Sequence, residues 1–110
     1  MAKNIKNGAA VTVKITMNDK GSPSGKLADA ELHFNEGPLA GLRLLGLAIW
    51  ERRNGDGRNV TFPARTYSVN GERRSFALLR PVSEPAAQDS VRDLVLAALA
   101  EHEAQIASAA

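Results

Sequence analysis

Between Ala10 and Met17 apolar and polar residues alternate, with Val11, Val13, Ile15 and Met17 set against Thr12, Lys14 and Thr16. Successive side chains of a β-strand leave on opposite faces, so a period of two marks a strand with one face buried and one wet. The pattern returns from Lys26 to Phe34, with Ala28, Ala30, Leu32 and Phe34 on one side and Asp29, Glu31 and His33 on the other. The intervening Asn18-Asp-Lys-Gly-Ser-Pro-Ser-Gly25 is turn chemistry throughout, because Gly supplies positive φ and Pro fixes it. The two segments are therefore predicted to pair as a hairpin.

After the turn Asn35-Glu-Gly-Pro38, residues 40 to 53 read as a strand, with a helix as the competing reading. Both of its faces are apolar: Leu42, Leu44, Ala48 and Trp50 on one, Leu45, Leu47 and Ile49 on the other. A sheet under a single helix buries only one face, so the second predicts a further cover, supplied by a partner subunit. Asn54-Gly-Asp-Gly57 predicts a turn, and Asn59 to Tyr67 a short strand interrupted at Pro63, which has no N–H for a ladder. Asn70-Gly71 predicts a type I′ hairpin leading into a strand from Arg73 to Pro81 or Val82, with Arg74, Phe76, Leu78, Arg80 and Val82 on one side. Ser83 as N-cap and Pro85 in the first turn open a helix whose apolar positions Ala87, Val91, Leu94, Val95, Ala98, Leu99, His102 and Ile106 recur every 3.6 residues. The expected fold is α+β, a small antiparallel sheet of about five strands with a C-terminal α-helix. Residues 1–9 form an N-terminal arm, 10–106 a single domain and 107–110 a frayed tail.

A chain of 110 residues suits one core. It has no cysteine, which rules out disulfides, a thiolate nucleophile and Cys-ligated zinc. No apolar run approaches the ~18 residues of a membrane span, and no signal-like region opens the chain, so a cytoplasmic protein is expected. The only histidines are His33 and His102, and no Ser lies in a Gly-x-Ser-x-Gly turn. Gly21 to Lys26 has three residues between its glycines where a phosphate loop needs four, and Leu27 where that loop needs Ser or Thr. Asn54 and Asp56 offer two calcium-loop oxygens without the acid that closes the loop. Neither an enzyme, a cofactor, a metal nor a small-molecule substrate is predicted.

Function is sought instead in charge. Residues 43 to 80 hold eight of the nine arginines, no lysine and three acids, whereas residues 81 to 110 set Arg92 against Glu84, Asp89, Asp93, Glu101 and Glu103. Guanidinium is always charged and forks bidentately onto phosphate or carboxylate, so Arg in place of Lys fits an anionic polymer. Arg52 and Arg53 precede a predicted turn, Arg58 follows it, Arg65 follows Pro63, and Arg73 and Arg74 follow Asn70-Gly71. These six are the predicted nucleic-acid-binding residues, with DNA placed ahead of RNA as the partner. Trp50 and Tyr67 are the candidates for base stacking. Solubility and edge protection are the bland explanation for any one arginine. The alternative function is an interaction adaptor or septation factor whose arginines meet an acidic partner, with no nucleic acid.

Gly57-Arg-Asn-Val-Thr-Phe-Pro63, then Arg65-Thr66, Gly71-Glu72, Pro81 and Val95-Leu96, together resemble the stage V sporulation protein G (SpoVG, septation protein) family in spacing and residue type. The resemblance covers about residues 10 to 103. It implies a small sheet with a C-terminal helix, a dimer built through strand and helix contacts, and site-preferring nucleic-acid binding that regulates transcription or septation. The family's binding cations carry over to Arg65 and Arg74. The chain departs from the pattern in keeping only Ala64-Arg65 of the basic pair after Pro63, and in longer hairpins around Gly71.

Overall fold

The computed structural model describes residues 10–53, 55 and 57–109. The expected N-terminal arm, residues Asn54 and Asp56 of the expected turn, and Ala110 lie outside the described residues. The elements are β1 (Val11–Met17), β2 (Lys26–Phe34), β3 (Arg43–Glu51), β4 (Arg58–Thr61), β5 (Ala64–Val69), β6 (Glu72–Ala77) and α1 (Ala86–Ala109). The fold is α+β. Strands β1-β2-β3-β4 form one antiparallel sheet in sequence order, β5 and β6 form a separate two-stranded ribbon, and α1 packs on one face of the larger sheet.

The alternation in β1 and β2 sets their register, with Val13 opposite Leu32 and Ile15 opposite Ala30. The turn between them is closed by Asn18, whose N–H donates to Leu27 O at 2.9 Å and whose Nδ2 donates to Lys26 O at 3.0 Å. Val13, Ala28, Ala30, Leu32, Leu47, Ile49 and Val60 meet Val95, Ala98 and Leu99 of the helix to form the core. Small residues at Ala28 and Ala30 on interior strand β2 let the helix approach the sheet, and Leu47, Ile49 and Leu99 supply the bulk.

The expected membership of the two faces of the third strand is corrected by a bulge. Pairing runs from Leu32 opposite Leu44 to Ala30 opposite Leu47, so Leu45 and Gly46 together face the single residue Glu31. Gly46 has φ of +102°, the left-handed backbone that lets a strand take an extra residue. The slip turns Leu44 and Leu47 to the same, helix-covered side. The other side carries Arg43, Ala48 and Trp50, with Leu45 exposed and the Trp50 indole N–H donating to Thr61 Oγ1 at 2.9 Å. On β3 that side still carries the apolar Leu45, Ala48 and Trp50, set beside the polar Asp29, Glu31 and His33 of β2.

The stretch expected as one strand, Asn59 to Tyr67, is divided between two sheets at Pro63. Ladder pairing of β4 with β3 ends at Thr61 opposite Ala48, because proline has no N–H to continue it. The chain then peels away, and Leu78 N–H donates to Pro63 O at 2.7 Å to close the base of the β5–β6 ribbon. At its tip Asn70 (φ 53°) and Gly71 (φ 79°) both have positive φ, as a type I′ turn requires.

Strand β6 ends at Ala77, not at Pro81 or Val82. Leu79 O accepts from Gln88 Nε2 at 3.0 Å, which draws this segment to the helix instead of the ribbon. Helix α1 begins at Ala86, with the Glu84 and Pro85 carbonyls accepting from Ala87 and Gln88. Ser83 therefore stands ahead of the helix and does not cap it. The tail expected to fray is helical to Ala109, in keeping with the high helix propensity of alanine and the lack of Gly or Pro there. Among the described residues no helix is long and apolar enough to cross a membrane.

Candidate nucleic-acid interface

Cross-strand partners in an antiparallel ribbon share a face, so the β5–β6 register sorts its side chains. Arg65 opposite Phe76, Tyr67 opposite Arg74 and Val69 opposite Glu72 lie on one face. Ala64, Ala77, Thr66, Ser75, Ser68 and Arg73 lie on the other. Every residue of β5 is exposed, and of β6 only Ala77 is partly covered. On the first face the Tyr67 and Phe76 rings sit 5.8 Å apart between centroids, inclined at 60°, and the Arg80 guanidinium lies 5.9 Å from the Phe76 centroid. Arg74 reaches Glu72 at 2.9 Å, an exposed pair that solvent weakens.

The remaining predicted cations are dispersed. Arg52 and Arg53 are exposed at the end of β3, where Gly55 N–H donates to Arg52 O and Arg52 N–H donates to Gly57 O. With Trp50, Glu51 and Asn59 they line a shallow cleft. Arg58 points to the helix and forms a bidentate pair with Glu103, each nitrogen 2.8 Å from its own oxygen. That geometry ties β4 to α1 and occupies the guanidinium within the chain. Arg65 and Arg74 are thus together, Arg73 is behind them on the same ribbon, Arg52 and Arg53 occupy a different loop, and Arg58 is a structural cation. No carboxylate partner stands near Arg52, Arg53, Arg65, Arg73 or Arg80 among the described residues.

Two residues of the ribbon face, Phe76 and Arg80, were not singled out by sequence. Their signal was present in the alternation of Arg74, Phe76, Leu78 and Arg80, but such a stripe reads as core until it is known that no element covers it.

The polar side of the larger sheet carries a second cluster. His33 Nε2 lies 2.9 Å and Arg43 Nη1 3.3 Å from the same Glu31 oxygen. The His33 hydrogen bond, helped by the charge of Arg43 and opposed by some desolvation, holds the Glu31 carboxyl below its ordinary value. A depressed carboxylate stabilises the fold above its unfolded-state pKa, and that contribution is lost as pH falls through the folded value. Carbon-detected NMR titration of Glu31 is expected to give a midpoint below the usual ~4.3 of a glutamate, and His33→Ala to move it upward; an unmoved midpoint would contradict the assigned cause. His33 and His102, distant in sequence, line one surface groove with Lys14, Glu101 and Gln105. No group of three or more acidic or histidine side chains suited to a metal ion occurs among the described residues.

No family model, curated protein or solved structure matches this chain.

Proposed function

We propose that this protein is a non-enzymatic, nucleic-acid-binding regulator that holds phosphates with the arginines of its turn and ribbon. One observation carries this reading. Arg52, Arg53, Arg65, Arg73 and Arg80 are exposed and have no carboxylate partner among the described residues. Arginines kept only for solubility gain nothing from standing without ion-pair partners, whereas a phosphate backbone supplies such partners and releases its counterions on binding. The resemblance of residues 57 to 99 to the sporulation protein G family supports regulation of transcription or septation as the setting, with DNA ahead of RNA. A homodimer in the cytoplasm completes the reading. Exposed Leu39, Leu42 and Leu45 favour the dimer, and a chain without cysteine fits a reducing compartment.

Arg65→Glu, Arg73→Glu and Arg74→Glu combined should abolish a gel shift while leaving the circular dichroism melt in place. Arg65→Ala alone should flatten the salt dependence of binding by about one unit of log K against log [salt]. Arg58→Glu should lower the melting temperature before it touches affinity, since its partner is Glu103. Wild-type binding that survives the triple charge reversal at low salt would overturn the proposal. A protein with no DNA or RNA affinity at low salt would point instead to the acidic-partner adaptor.

A further inference from the structure

We infer that the ribbon face carrying Tyr67 and Phe76 is a stacking site for single-stranded nucleic acid. The inference rests on the nucleic-acid reading above and assigns it a substrate class. Tyr67 is 42% and Phe76 38% exposed, although paired rings of this size are normally covered. Among the described residues β5 and β6 form a sheet of their own, and the exposure along both strands shows no second layer over the rings.

Among the described residues the rings are flanked by three cations, one acid and the exposed apolar side chain of Val69, with Leu78 exposed just beyond the end of β6. Arg65 is the cross-strand partner of Phe76, Arg74 is the partner of Tyr67, and Arg80 lies over the Phe76 ring. Glu72 is held by Arg74. Aromatic surface alternating with guanidinium matches a strand whose unstacked bases offer π-faces and whose backbone offers phosphates at similar intervals. A duplex offers the phosphates but keeps its base faces inside the stack, so the rings would add nothing to duplex binding. The opposite ribbon face, with Thr66, Ser68, Ser75 and only Arg73, lacks this combination. The same ribbon face of a second copy is a poorer occupant, since a symmetric contact would bring Arg65, Arg74 and Arg80 against themselves.

Fluorescence anisotropy with a labelled oligothymidylate of about 12 nucleotides, and with a duplex of equal length, tests the assignment. The wild-type protein should bind the single strand at least about 10-fold more tightly. Tyr67→Val with Phe76→Leu, which keeps β-forming apolar side chains while removing both π-systems, should lose at least about 10-fold on the single strand and less than about 2-fold on the duplex. Amide NMR spectra establish that the ribbon of the variant is intact; should it open, Phe76→Leu alone is read instead, with a smaller loss in the same direction. Equal wild-type affinity for both substrates, unaffected by the ring changes, overturns the stacking site and leaves phosphate binding standing. Absence of binding to either substrate overturns both. Rings whose loss dissociates an oligomer in sedimentation without changing affinity belong to a subunit seam, which also overturns the inference.

Discussion

Leu99→Ala is expected to destabilise the protein by roughly 3 kcal/mol and to lower its melting temperature by more than 10 °C. Leu99 is among the few large side chains with no solvent exposure, together with Leu47, Ile49 and Val95. It lies where α1 meets the sheet, and its neighbours in the core include Ala28, Ala30 and Ala98. Alanines on secondary structure have no rotamer with which to fill a void, so the cavity left by three missing carbon atoms persists and its cost adds to the lost transfer energy. Ile106, on the same helix but about half exposed, makes the comparison. Ile106→Ala should change stability by less than about 0.5 kcal/mol. Urea denaturation monitored by circular dichroism measures both, and a Leu99→Ala cost below about 1 kcal/mol would mean that the helix is not held by this contact.

The parts of the fold legible in sequence are those written in local chemistry. Strand alternation placed β1 and β2 because their partners lie close along the chain, and Asn70-Gly71 specified its turn because few other residues accept two positive φ values in succession. The helix followed from one uninterrupted period. The third strand misled because a period of two was assumed to persist through Gly46, where the extra residue reverses it. A glycine inside a strand pattern is itself the warning of a bulge. Pro63 announced an interruption, but sequence alone does not tell whether the chain rejoins the same sheet beyond it. At the site, Arg65 and Arg74 could be placed on one strand pair, whereas the loss of Arg58 to Glu103 could not be foreseen, since the partners are 45 residues apart. The exposure of Tyr67 and Phe76 depends on the absence of a covering layer among the described residues, which no local pattern encodes.

Gly46→Ala is expected to cost about 2 to 4 kcal/mol, more than a surface glycine replacement has any local reason to cost. Two effects add. At φ of +102° an L-residue is strained, and the new Cβ would lie 2.9 Å from Cβ of Pro63, closer than carbon atoms approach. The obstacle is a proline ring at the point where β4 gives way to β5, so it cannot swing aside as a flexible side chain would. Gly41→Ala separates the effects, because Gly41 has φ of +88° with nothing within 4 Å of a Cβ. It should show the backbone cost alone, about 1 to 2 kcal/mol. The excess at Gly46 then measures the contact that sets where the ribbon leaves the sheet. Relief of that contact moves Pro63 and with it the hydrogen bond from Leu78 that closes the ribbon base, so Gly46→Ala should also speed amide exchange at Leu78 and weaken the proposed nucleic-acid binding, while Gly41→Ala does neither. Equal costs at the two glycines, with unchanged exchange at Leu78, would show that the ribbon is positioned without the Gly46–Pro63 contact and that the bulge serves only to turn Leu44 and Leu47 to the same side.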